Sequence, residues 1–273
     1  MSSRFAVAVP HLPGDPAREA SLGRLLARLA EREIEPRVFT ERAPNWALGV
    51  AVTDYLAESD ADWALQIQDD VPLHPKFWGV LDAMLGSNVG EHAGIICLHA
   101  SHYALREIFL GGGVSWSTTP DGLVGPAWLI RPELLREKQK WQTDALKPRA
   151  IERMHEDDLL GVFAMATGRL VFAPVVTPTD HDLSLESGYG NAQHRARRPA
   201  VTLWDAEQRD PHKRDWTKVE SWAGEVVHLG RFYSGLCEWL PRLLRDEAYG
   251  NALAEKLRMD LTPERYSRWW RPL

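Results

Sequence analysis

The chain opens on Phe5-Ala6-Val7-Ala8-Val9, an unbroken apolar run closed by Pro10. Without polar alternation, such a run predicts a strand buried on both faces. Leu22, Leu25, Leu26 and Leu29 then recur at helical spacing and predict an amphipathic helix over 17–33. Asp15-Pro16 supplies its cap and first-turn proline, and Pro36 stops it. Residues 37–40 read as a second strand. Pro44-Asn45 opens a second helix, with Leu48, Val52, Tyr55 and Leu56 on one face. Trp63, Leu65 and Ile67 alternate along a third strand that runs into Gln68-Asp69-Asp70. Pro75 opens a third helix carrying Phe77, Trp78, Leu81, Met84 and Leu85, and 94–98 forms a fourth strand. Strand and helix alternate throughout, which predicts an α/β fold: a mostly parallel sheet with helices on both faces.

The middle of the chain is less regular. Gly111-Gly112-Gly113 with Val114-Ser115-Trp116 reads as a flexible loop. Pro126 to Ile130 is a short strand, and Pro132 starts a helix. Glu156-Asp157-Asp158 precedes a helix bearing Leu159, Leu160, Phe163 and Met165 and ended by Gly168; residues 170–173 follow as a strand. From Thr177 to about Pro199 the chain is polar, and loops of that length are usually functional. The expected organisation is a catalytic domain over 1–200, with a Trp-rich, partly helical extension over 201–273 packed on it.

Composition narrows the partners more than the fold. The formal charge of −6 excludes a surface built wholly to coat nucleic acid. Cys97 and Cys237, the two cysteines, make neither a disulfide scaffold nor a cysteine zinc site. No apolar run approaches the ~20 residues that span a bilayer, and no signal-peptide pattern precedes the first strand. A cytoplasmic protein is the expectation. Trp is abundant, with 12 residues, several beside basic side chains.

Four constellations could carry chemistry. Asp69 and Asp70 stand at the carboxyl end of a strand, where open α/β sheets gather ligands and where paired carboxylates can hold a hard divalent cation. His155-Glu156-Asp157-Asp158 sets three acids in a row. Their mutual repulsion raises pKa values and could poise a general base, although acids equally suit a helix N-terminus. Asp180-His181-Asp182 puts an imidazole between carboxylates, followed by Ser184, Ser187, Gly188 and Tyr189 as donors to phosphate. Residues 193–214 carry six basic and three acidic residues, including Arg195, Arg197, Arg198, Lys213 and Arg214, with Trp204 among them. Cations beside aromatic faces suit bases and phosphates, or a solvated face with Trp turned inward. His99 and His102 lack a third ligand in sequence. The glycine triplet lacks the following Lys of a phosphate loop.

The order of these pieces resembles a GT-A-fold glycosyltransferase of bacterial or phage type. The opening strand and Leu-rich helix carry the resemblance, as does Gln68-Asp-Asp-Val-Pro-Leu-His-Pro-Lys-Phe77, which is similar to an "EDDV…P-x-F" stretch. So do Glu156-Asp157-Asp158-Leu159 and the late strand before His181. The match covers residues 4–190. It implies a nucleotide-diphosphate sugar as donor and a divalent cation, Mn²⁺ or Mg²⁺. Asp70 and His181 would be metal ligands and Asp69 would touch donor sugar or ribose. Gln68 stands where the family often has an acid. Asp157 would be the base that removes the acceptor proton, with Glu156 and Asp158 positioning acceptor and donor. Pro10, His11, Arg18, Asn45 and Ser184 would surround the nucleotide and its phosphates. The acceptor would be a saccharide hydroxyl or a hydroxylated base in DNA, the latter held through the basic segment. A nucleotidyltransferase, or a non-catalytic nucleotide- or nucleic-acid-binding module, stands as the alternative.

Overall fold

Val7, Ala8 and Val9 are buried in β1 (Phe5–His11), as an apolar run without alternation requires. This is a computed structural model. It describes residues 3–40, 46–87, 93–99, 116–119, 125–146, 156–167, 169, 171–174, 176–182, 184–185, 202–204, 219–221, 248, 251–252 and 255. After β1 come α1 (Pro16–Ala30), β2 (Arg37–Thr40), α2 (Trp46–Ala57), β3 (Trp63–Ile67), α3 (Phe77–Leu85) and β4 (Ile95–Cys97). Then follow β5 (Trp116–Thr119), β6 (Ala127–Ile130), α4 (Pro132–Ala145), α5 (Glu156–Ala166), β7 (Val171–Pro174) and β8 (Val219–Ser221).

The described strands form one mixed sheet in the order β2-β1-β3-β6-β4-β7-β5-β8. β1 pairs in parallel with β2 and β3, and β4 with β7. β6 is inserted antiparallel between β3 and β4. β5 runs antiparallel to β7 and carries β8 in parallel on its outer side. The sheet is thus mostly parallel. Alternate side chains feed two cores. Ala8, Ala64, Ile95 and Ile130 face Val52 and Leu56 of α2, Leu135 of α4, and Leu160 and Phe163 of α5. Val7, Val9, Leu65, Ile96 and Leu129 face Leu25 and Leu29 of α1, and Phe77, Leu81 and Met84 of α3.

The local signals act at the ends of elements. Gly14 adopts φ +104, a turn open to glycine. It hands the chain to Asp15, whose Oδ1 accepts from the Ala17 N–H at 2.8 Å. α1 stops at Ala30 rather than at residue 33, because Glu33 turns to φ 56 and the Ile34 N–H bonds back to the Leu29 carbonyl. α3 begins at Phe77, not at Pro75. The His74 carbonyl accepts from the Phe77 N–H at 2.8 Å, and its ring Nδ1 accepts from the Lys76 N–H at 3.1 Å. Around Trp116 the chain is a strand, not the flexible loop its composition suggests. Its partner β7 lies more than fifty residues on, so no local pattern announces the pairing.

From β1 the chain crosses to β2 on one side, then returns to β3 on the other. The carboxyl ends of β1 and β3 therefore flank a topological switch point, where open sheets leave a crevice for ligands.

Two glycines test the packing with opposite signs. A Cβ on Gly125 would sit 2.4 Å from the His99 carbonyl oxygen, whereas one on Gly23, inside α1, meets nothing within 4 Å. Gly125→Ala is expected to destabilise by about 1–3 kcal/mol. Gly23→Ala is expected to stabilise by about 0.4–1 kcal/mol. Urea unfolding midpoints measure both.

Candidate functional site

β3 delivers Asp69 and Asp70 to the switch point. The Asp69 N–H donates to the Pro10 carbonyl at 3.2 Å and the Gln68 N–H to the Pro126 carbonyl at 3.0 Å, so this turn is held between the ends of β1 and β6. Both acids are almost wholly buried, at 2% and 5% exposure. Burying carboxylates is costly unless they are paired and hydrogen-bonded, and their partners come from three stretches of chain.

Arg18, in the first turn of α1, reaches down to both acids. One guanidinium nitrogen donates to Asp69 Oδ1 at 2.5 Å and the other to Asp70 Oδ2 at 3.0 Å. His11, at the end of β1, sets Nδ1 2.8 Å from Asp69 Oδ2 and Nε2 3.1 Å from Glu19 Oε1. The Leu12 N–H adds a third contact to Asp69, at 3.1 Å. His181 comes from the segment after β7, with Nε2 3.3 Å from Asp70 Oδ2.

A small antiparallel ladder outside the main sheet brings His181 there. Leu73 bridges Thr179. The N–H groups of His74, Asp180 and Asp182 donate to the carbonyls of Pro178, Pro72 and Asp70, at 3.1, 3.0 and 2.9 Å. The His99 ring stands edge-on to His181, with centroids 5.9 Å apart. The close pass of Gly125 beneath the His99 carbonyl fixes that neighbour.

The two acids differ in what remains open. Both oxygens of Asp69 are engaged inside the protein. Asp70 Oδ1 is buried and has no hydrogen-bond partner among the described residues. Such an atom usually marks an absent water or ion. Their proton affinities differ too. Burial pushes the Asp69 carboxyl up, beyond what the His11 hydrogen bond and the Arg18 charge offset. Burial acts the same way on Asp70, but the hydrogen bond and charge of His181, joined by Arg18, outweigh it and hold that carboxyl down.

The remaining expected residues divide. Pro10 lends its carbonyl to Asp69. Gln68 is half-buried at the same turn. Ser184 is exposed and turned onto its own loop, with its N–H and hydroxyl both on Asp182 Oδ1. Glu156, expected to position the acceptor, is committed elsewhere: its Oε1 accepts from the Thr53 hydroxyl at 2.6 Å and from the Lys138 ammonium. Lys138 is fully buried and also donates to Gln142 Oε1 at 2.7 Å. The physical reason is the ammonium itself, since a buried Lys needs an acid. Asp157 is half-buried in the first turn of α5, and Asp158 follows it there. Of the two readings open for Trp204, a basic-aromatic surface or a ring turned inward, the structure has the ring edge-on to the buried His74, with centroids 4.7 Å apart. Asn45, His102, Gly168, Arg195, Arg197, Arg198, Lys213 and Arg214 lie outside the described residues.

Sequence reasoning missed Glu19 and Lys138. Glu19 directly follows Arg18 on the helix turn that faces the strand ends, and that position was its available signal. Lys138 had none beyond a charge on the apolar side of α4.

As a metal site, Asp70 and His181 provide an unpartnered carboxylate oxygen beside an imidazole. Among the described residues no group of three or more His, Cys, Asp or Glu side chains is arranged to hold a metal ion. The donors fit a site that is open on one side rather than a closed protein cage. No described helix is long and apolar enough to cross a membrane.

No protein-family model matches the chain, and no curated protein matches it. Among solved structures, the chain is similar to S. aureus TarS 1-349, at 13% identity over 99% of this chain and 93% of that one, TM-score 0.42. It is similar to the same fragment in complex with UDP-GlcNAc, at 13% identity over 93% and 71%, TM-score 0.34. It is also similar to a glycosyltransferase involved in the glycosylation of the major capsid of PBCV-1, at 13% identity over 54% and 68%, TM-score 0.29. With TM-scores below 0.5, these likenesses carry no weight for the chemistry, which rests on the site residues.

His181→Ala removes the leading interaction that holds Asp70 down, so the Asp70 carboxyl is expected to titrate at higher pH. The sign follows from linkage. A depressed carboxyl stabilises the fold above its ordinary value, and that contribution is lost as pH falls through its folded value. In the variant the loss begins at higher pH. Asp69 has the opposite sign: its contribution declines as pH rises from the ordinary value through its raised one. Carboxyl ¹³C titration and acid unfolding measure both shifts. An unmoved Asp70 would assign its depression to Arg18 alone.

Proposed function

We propose that the chain is a divalent-cation-dependent glycosyltransferase, moving a sugar from a nucleotide-diphosphate donor to an acceptor hydroxyl at the Asp69–Asp70 turn. One observation carries this reading: a buried acid with one oxygen unpartnered among the described residues, at the switch point of a mostly parallel sheet, meets an imidazole contributed from more than a hundred residues away. The acid-rich turn, the Arg18 clasp and the order of the sequence motifs support the same reading.

In this proposal Asp70 and His181 hold Mn²⁺ or Mg²⁺, and diphosphate oxygens and water complete its shell. The cation, when bound, offsets the negative charge on the departing diphosphate. Asp69 serves indirectly. Pinned by His11, the Leu12 N–H and Arg18, it holds Asp70 and Arg18 in register rather than touching sugar or ribose. His11, Arg18 and Pro10 are proposed beside the nucleotide, and Asn45, Gln68 and Ser184 around its ribose and phosphates.

Asp157 is the proposed base. It takes the acceptor hydroxyl proton as that oxygen attacks the anomeric carbon, and attack opposite the leaving group inverts the centre. Glu156 contributes by fixing the start of α5 through Lys138 and Thr53, which places Asp157. Asp158 is proposed beside the donor. The acceptor is proposed to be a saccharide hydroxyl or a hydroxylated DNA base. Arg195, Arg197, Arg198, Lys213 and Arg214 would serve the second, and salt-sensitive duplex binding that Arg197→Ala with Arg198→Ala abolishes would select it.

A thermal-shift panel of nucleoside diphosphates and nucleotide sugars, with and without Mn²⁺, tests the reading. One nucleotide is expected to raise the melting midpoint only with metal, and no shift with any member would remove the donor assignment. With that donor in hand, Asp70→Asn is expected to lower transfer by at least about a hundredfold. Asp157→Asn is expected to lower kcat by about 10²–10⁴ with little change in donor binding. Unchanged turnover in the latter would remove the base.

A further inference from the structure

The Arg18 guanidinium occupies the place where a cation would be wanted. Its side chain is 7% exposed and bridges two different carboxylates, one nitrogen to each. A divalent cation held by Asp70 would be opposed by that fixed positive charge, since the guanidinium already bonds Asp70 Oδ2. Among the described residues Asp70 keeps one oxygen without a partner, so the pair is compensated but not saturated by them. Asp69 relies on Arg18 for Oδ1 alone, because His11 and the Leu12 N–H hold its other oxygen. A planar guanidinium released from the acids has one good alternative: two oxygens of a phosphoryl group, which match its fork as a carboxylate does.

We propose that Arg18 is a resident counter-cation of the acid pair, which competes with a divalent cation for Asp70 and transfers to diphosphate oxygens when these arrive. The inference rests on the metal assignment made above and adds what regulates it. Metal alone binds weakly. Diphosphate draws the guanidinium off Asp70 and so strengthens metal binding, and by linkage the metal strengthens diphosphate binding equally. The two carboxylates are never left together without a positive partner, which a buried pair of like charges requires.

Two titrations of the full chain test it, neither needing the sugar donor. Free Mn²⁺ is followed by its EPR signal, and inorganic pyrophosphate binding is measured calorimetrically without metal. Arg18→Gln is expected to bind Mn²⁺ at least tenfold tighter than wild type and pyrophosphate at least tenfold more weakly. An Arg18 that only braces the turn predicts the reverse for metal, since its loss would loosen the Asp70 ligand set. Unchanged or weaker Mn²⁺ binding in Arg18→Gln overturns the proposal, as does unchanged pyrophosphate binding. Should circular dichroism show Arg18→Gln unfolded, Arg18→Lys replaces it. Its ammonium lacks the planar fork that matches two oxygens at once, so it is expected to move in the same two directions by smaller factors, and a lack of movement overturns the proposal.

Asp70→Asn separates this outcome from the reading beneath it. Mn²⁺ binding that wild type loses on Asp70→Asn, without tightening in the Arg18 variant, overturns the competition and leaves the metal assignment standing. Mn²⁺ binding that does not depend on Asp70 in any variant overturns both.

Discussion

Two adjacent carboxylates buried at the end of a central strand impose the strongest electrostatic demand on this chain. Removing one partner from a buried charge pair typically costs about 3–5 kcal/mol, a sizeable part of the stability of an ordinary domain. Asp69 and Asp70 meet that demand with groups from the end of β1, the first turn of α1 and the segment after β7. The end of β1, the start of α1 and the chain past residue 178 all converge on this pair. The acids are compensated unequally. Burial pushes the Asp69 carboxyl up, whereas His181 and Arg18 hold that of Asp70 down, and among the described residues Asp70 keeps one oxygen without a partner.

The ladder between residues 70–74 and 178–182 is what makes this contrast possible. It lies outside the eight-stranded sheet, yet three backbone hydrogen bonds fix His181 against Asp70 to within a side chain's length. A flexible loop would pay the full ordering entropy of placing an imidazole there. Here the backbone is already paired, and Thr179 adds a hydroxyl bond to the Leu98 carbonyl at 2.9 Å. The His99 neighbour and the Gly125 close approach belong to the same junction, so β4, β6 and β7 converge on one imidazole.

On the opposite face of the sheet from α1, the Lys138–Glu156 pair plays an analogous part for α5. A fully buried ammonium anchors the first residue of that helix, while Thr53 and the close approach of Gly49 dock it on α2. One acid of a three-acid run thus serves to anchor the helix. Asp69 and Asp70 differ in a similar way at β3, since the described residues engage both oxygens of the first and one oxygen of the second.

The sequence by itself determined the elements whose signals are local. The apolar runs of β1 and β3, the Leu spacing of α1, the Asp15-Pro16 cap and the placing of Asp69 and Asp70 at a strand end were all legible, because burial periodicity and capping act within a few residues. Tertiary structure alone decided what depends on distant partners. The antiparallel insertion of β6, the strand at Trp116 and the turning inward of Trp204 rest on pairings made across scores of residues. The contrast between Asp69 and Asp70, and that between Glu156 and Asp157, follow the same rule. Neighbouring acids look alike in sequence, and only the positions of Arg18, His11, His181 and Lys138 in space give each its separate charge environment.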